Sequence, residues 1–72
     1  MDEKLQIIFM QMRLLRMASR KWKMTLQDAT RFFKQHGVFG YIEQLFGVFH
    51  VEGDEAVFND ICNYVKLKGA II

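Results

Sequence analysis

Apolar side chains recur at helical spacing along almost the whole chain, and no stretch shows the strict alternation of a strand. The spacing predicts four helices. The first spans about Glu3 to Trp22. Leu5, Ile8, Met12, Leu15 and Trp22 share one face, and Ile7, Met10, Leu14 and Met17 form a second stripe beside it. Together the stripes cover well over half of the helix circumference, about twice the ~100° arc that a core-facing helix needs. Arg13, Arg16 and Arg20 fall on the remaining arc, around Phe9. Such a helix is expected to be central in its domain or to offer a second face to another chain. The Ile7, Met10, Leu14 and Met17 stripe is the expected second face.

The second helix is predicted over about Leu26 to His36. Thr25, followed three residues later by Asp28, resembles a capping box with a shorter acid. Ala29, Phe32 and Phe33 supply its buried face, and Gly37 suits the position just past its end. A third helix, about Tyr41 to Val51, turns Ile42, Leu45, Phe46 and Phe49 inward and Glu43, Gly47 and His50 outward. Gly47 costs this helix about 1 kcal/mol relative to alanine, or marks a close helix approach. Glu52-Gly53-Asp54 reads as a turn, with Asp54 as N-cap and Glu55 at the positive helix end. The fourth helix runs from about Glu55 to Lys68, burying Val57, Phe58, Ile61, Tyr64 and Val65, and Gly69 stops it. Ala70-Ile71-Ile72 would be a sticky tail unless docked. The expected architecture is all-α: a compact bundle of about four helices, with residues 1–72 forming a single domain.

Composition adds a constraint on stability. A chain of 72 residues that is 51% hydrophobic and 25% charged is globular in character. At that size only roughly 60% of the unfolded surface is buried on folding, so the margin is thin. Cys62 is the sole cysteine, which leaves no internal disulfide, and His36 and His50 stand too far apart in sequence to suggest zinc. No metal and no cofactor is expected. The acidic opening Met1-Asp2-Glu3 and the four-residue apolar run Ile7 to Met10 match neither a secretory signal nor a membrane span, so the expected compartment is the cytoplasm.

The net charge of +2 conceals an asymmetry. Residues 1–36 carry eight basic and three acidic side chains; residues 37–72 carry two basic and five acidic ones. Either the chain meets a charged partner or its two halves attract each other in the fold. Catalytic chemistry is not indicated. Cys62 sits mid-helix without an activating base, His36 suits a helix C-terminus, and His50 suits a hydrogen bond to Glu52, Asp54 or the backbone. The glycines form no phosphate cradle, and the acids lack EF-hand spacing. An enzyme is the least expected class.

Two binding readings remain. The stripe Arg13, Arg16 and Arg20 could contact phosphates, which makes a nucleic-acid-binding autoregulator the alternative function. The broad apolar arc, with Met10, Met12 and Met17 on or beside it, favours a protein partner, and the same arc could pair with itself in a homodimeric scaffold.

A family resemblance bears on the choice. His36-Gly37-Val38, Tyr41-Ile42, Phe49 to Val57, Asn59-Asp60-Ile61 and Tyr64 resemble the core of a bacterial family of short all-helical proteins known as a domain of unknown function. The start Leu5 to Phe9 is similar to that family's first helix, whereas Arg13 to Lys23 is less family-like. The resemblance implies structural roles for Tyr41, Ile42, His50, Gly53, Asp60, Ile61 and Tyr64, with Tyr41, His50 and Asp60 expected to hold the third helix to the fourth. It also implies a genetic setting beside ADP-ribosyltransferase-like toxins. The leading expectation is therefore a small non-catalytic, antitoxin-like module that masks a toxin-like enzyme. Ile7, Met10, Leu14 and Met17 would make the contact, with Arg13, Arg16 and Arg20 at the rim. Glu52, Asp54 and Glu55 would lie over a basic nucleotide-binding cleft of that toxin.

Overall fold

In the computed structural model, which describes residues 2–72, five helices follow one another: α1 (Glu3–Lys21), α2 (Leu26–Gln35), α3 (Val38–Gln44), α4 (Phe46–Phe49) and α5 (Asp54–Leu67). No strand occurs among the described residues. The all-α expectation holds, and the bundle has one helix more than expected. The third predicted helix begins earlier, at Val38, and breaks at Leu45, whose φ of −101° and ψ of 11° lie outside the helical region. The break turns the following segment so that both Phe46 and Phe49 are buried. Gly47 lowers the cost of interrupting the helix there. It marks no close approach, because a side chain at Gly47 would meet nothing within 4 Å.

The core corrects the assignment of the two stripes on α1. Ile7, Met10, Leu14, Met17 and Ala18 are buried, and they pack with Phe33, Val38, Ile42, Phe46, Phe49, Val57, Phe58, Ile61 and Val65. The stripe expected to meet a partner is thus the inner face of the domain. Leu5, Ile8 and Met12 of the other stripe are exposed instead, as is Phe9, while Leu15 and Trp22 pack partly against the core. Periodicity gave two stripes and could not rank them. The tertiary arrangement chooses the arc containing Ala18, whose small side chain lets a neighbouring helix approach closely.

Caps end the helices in ways that mostly follow the sequence. Thr25 Oγ1 accepts a hydrogen bond from the Asp28 amide at 3.0 Å. Gly37 takes φ of 67° just past α2, as expected. Gly69, at φ 91°, closes α5 in a Schellman motif: its amide donates to the Lys66 carbonyl at 2.9 Å, and that of Ala70 to Val65 at 3.0 Å. The end of α1 repeats this motif without a glycine. Lys23 holds φ of 53°, and the Met24 amide donates to the Ser19 carbonyl at 3.0 Å. Ser19 Oγ in turn donates to the Met24 carbonyl at 2.6 Å. Asp54 is not the N-cap of α5; that place falls to Gly53, which leaves the Asp54 carboxylate for another use.

Candidate functional site

The residues that bear charge on α1 and on the turn before α5 converge on one side of the domain. Asp54 lies across from Arg13, whose Nε donates to one carboxylate oxygen at 2.9 Å and whose guanidinium NH2 donates to the other at 3.4 Å. Two turns further along α1, Lys21 Nζ donates to Glu55 at 3.2 Å. The basic first half and acidic second half of the chain therefore attract each other within the fold. This alters the expectation for the acidic turn. Asp54 and Glu55 already face cations of their own chain, and Glu52 is the acid of that turn without an ion pair among the described residues. Both pairs are solvent-exposed, so each is worth roughly 0–1 kcal/mol. Arg16 and Arg20 are exposed and have no ion-pair partner among the described residues.

Beside these pairs an open groove of about 430 Å³ runs between α1 and the α4 segment. Gln6, Phe9, Met10 and Arg13 form one wall; Phe46, His50 and Glu52 form the other. Helical spacing explains the first wall, since positions 6, 9, 10 and 13 share a face. The second wall depends on the break at Leu45, which orients Phe46 and places His50 one turn beyond it. The imidazole of His50 stacks on Phe46 at 5.4 Å between centroids, and its Nδ1 lies 3.0 Å from the Phe46 carbonyl. For that contact to be a hydrogen bond, Nδ1 must carry the proton and donate it. The backbone partner was among those expected for His50. A second depression of about 360 Å³ lies along α1 between Arg13, Arg16, Met17 and Arg20 on one side and Asp54 and Glu55 on the other.

The family-motif residues take up packing positions away from this groove, except His50. Tyr41 stacks on Tyr64 at 3.8 Å and meets Phe49 edge-on at 5.6 Å. Tyr41 and Tyr64 thus join α3 to α5, with Lys68 Nζ 4.7 Å from the Tyr64 ring centre. Burial, and then the nearby Asp60 charge, push the Tyr41 hydroxyl above its ordinary pKa. Ile42 and Ile61 are fully buried, and Gly53 caps α5. His50 does not bridge the third helix to the last; it bonds within its own turn. His36 does likewise, with Nδ1 3.0 Å from the Phe32 carbonyl.

Cys62 is half-buried, and burial raises its thiol pKa against the smaller lowering influence of Lys66 and a hydrogen bond with Trp22. That environment holds the sulfur as a thiol of low nucleophilicity. Among the described residues no cluster of three His, Cys, Asp or Glu side chains is arranged to hold a metal ion. No helix among them is long and apolar enough to cross a membrane.

Sequence reasoning missed Phe9 and Phe46 as groove residues. Phe9 carried a signal: it is a large aromatic ring set among Arg13, Arg16 and Arg20, opposite the core stripe. Phe46 carried none, because its orientation depends on the helix break. No curated protein and no solved structure matches the chain. The profile of one family does match, over residues 9–68, which include the Tyr41–Tyr64 contact and every groove residue except Gln6; the chain belongs to that family, described as Protein of unknown function (DUF3791).

Proposed function

We propose that this chain is a small non-catalytic protein-binding module, and that it serves as the antitoxin-like member of a pair by masking an ADP-ribosyltransferase-type enzyme. The groove between α1 and α4 carries the binding part of this reading. Its apolar wall residues Phe9, Met10 and Phe46 are bordered by Gln6, Arg13, His50 and Glu52, and the exposed cations Arg16 and Arg20 extend its edge. Protein interfaces have this anatomy, an apolar centre within a polar rim. The surplus positive charge selects the partner's chemistry: an apolar side chain seated against Phe9, flanked by acidic residues facing Arg20. The choice of a toxin-like enzyme rests on the family resemblance and not on the groove.

Co-expression with the product of the adjacent reading frame tests the whole reading. The expected result is relief of that product's toxicity and a stoichiometric complex on co-purification, weakened by Arg20→Glu. Failure to bind the purified neighbour, or undiminished protection by the Arg20 variant, would overturn it. Nucleic-acid binding is the second reading, and the unpaired Arg16 and Arg20 favour it. Asp54 and Glu55 line the same depression and would repel phosphates. A mobility-shift series across salt separates the two, since phosphate contacts make binding fall steeply as salt rises.

A further inference from the structure

The outer face of α1 holds a stripe that belongs neither to the core nor to the groove. Leu5, Ile8 and Met12 are 46%, 46% and 43% exposed, and the half-buried Leu15 continues their line. The charges of the same helix are segregated along its axis. Asp2 and Glu3 stand at its start and Arg13, Arg16 and Arg20 in its second half, with Lys4 the one early cation. Arg13 is held by Asp54; Arg16, beside Leu5 and Met12, and Lys4, beside Ile8 and Leu15, flank the stripe without an ion pair among the described residues.

Such a helix is complementary to itself when turned end for end. We propose that a second copy of this chain packs on the stripe, with the two α1 helices antiparallel about a two-fold axis that passes between Ile8 and Phe9. Leu5 of each copy then meets the partner's Met12, and Ile8 lies beside the partner's Phe9. The same register sets Asp2 next to the partner's Leu15 and Arg16. At 3.6 residues per turn, Asp2 and Arg16 lie on one flank of the helix, within about 40° of each other, so the charges face across the seam. Lys4 and Arg13, which the register would also bring level, lie on opposite flanks, about 180° apart, and do not clash. A parallel arrangement would instead set Arg16 against Arg16. Antiparallel packing also aligns the helix dipoles favourably, and the two-fold axis repeats each contact twice.

The dimer draws on Phe9 and Arg16, which also border the surface proposed for a partner, whereas Arg20 lies beyond the helix overlap and Phe46 and His50 form the opposite wall of the groove.

Sedimentation velocity and light scattering over a concentration series test the dimer. The expected species has twice the 8.5 kDa mass of the chain and dissociates on dilution. Ile8→Asp should give a monomer, with helical circular dichroism confirming that the variant is folded. Asp2→Arg and Arg16→Asp should each weaken dimerisation about three- to tenfold, and combining the two exchanges should restore it. A wild-type chain that stays monomeric at every concentration would overturn the proposal. So would a dimer indifferent to Ile8→Asp, or a double exchange that fails to recover the loss.

Discussion

Truncation of one side chain on each face of α1 separates the face that holds the domain together from the face that does not. Leu14 is fully buried at the centre of the core, whereas Met12, two residues earlier, is 43% exposed. Leu14→Ala removes the transfer free energy of the lost methyl groups and leaves a cavity, a combined cost of about 3–5 kcal/mol. A domain of this length has about 4–11 kcal/mol of stability to lose. The variant should therefore fall by well over 10 °C in Tm, at roughly 4–8 °C per kcal/mol. Met12→Ala gives up only the buried half of its side chain and gains a better helix former, so its cost should stay within about 1 kcal/mol. Trp22 is a suitable reporter, because it packs edge-on against Phe32 and Phe33 and lies 5.4 Å from Phe58. Urea unfolding followed by its fluorescence at submicromolar protein, where self-association is diluted out, gives both midpoints. Equal shifts for the two variants, or a larger one for Met12→Ala, would refute the assignment of the inner face.

Four other experiments probe the remaining structure. Lys23→Gly should raise stability by up to about 1 kcal/mol in chemical unfolding, because glycine removes the left-handed strain at φ 53°. A double-mutant cycle between Arg13 and Asp54 should return a coupling of about 0.2–1 kcal/mol that shrinks as salt is added. Tyr41 titrates above its ordinary pKa of 10.0, so the folded state holds this proton more tightly than the unfolded chain does. Its contribution is complete below pH 10 and is lost as the pH rises further; Tyr41→Phe should flatten that part of the stability–pH curve. Cys62, also raised, should react with iodoacetamide at pH 8 more slowly than free cysteine, and unfolding in urea should abolish the difference.

The parts of the fold legible in the sequence were those governed by local rules. Thr25, Gly37 and Gly69 act within a turn of their own position, and each ends or begins a helix as its chemistry predicts. The end of α1 was placed to within a residue, yet its cap was not legible, since Lys23 adopts a conformation that lysine seldom signals. What failed depended on contacts distant in sequence. The split of the third helix at Leu45 follows from the burial of Phe46 and Phe49, and the choice between two α1 stripes follows from what the other helices present to them. Asp54 shows the same limit in charge chemistry. Locally it is a good N-cap; in the fold, Arg13, 41 residues away, takes the carboxylate.

That exchange bears on how the arginine stripe is read. Three arginines on one helix face look like a uniform basic surface in sequence, but the fold divides them. Arg13 is bound to Asp54, while Arg16 and Arg20, without an ion pair among the described residues, share one wall of a depression whose far wall is acidic. A polyanion laid along the stripe would pass the depression that Asp54 and Glu55 line, well within a Debye length, where like charges repel without much screening. A protein surface can place an acid on Arg16 or Arg20 and a neutral group beside Asp54, because its charges are not spaced at the fixed interval of a phosphate backbone. The discontinuity of the stripe is thus an argument for discrete, side-chain-by-side-chain recognition, whether the acid comes from a second copy of α1 or from a partner on the groove.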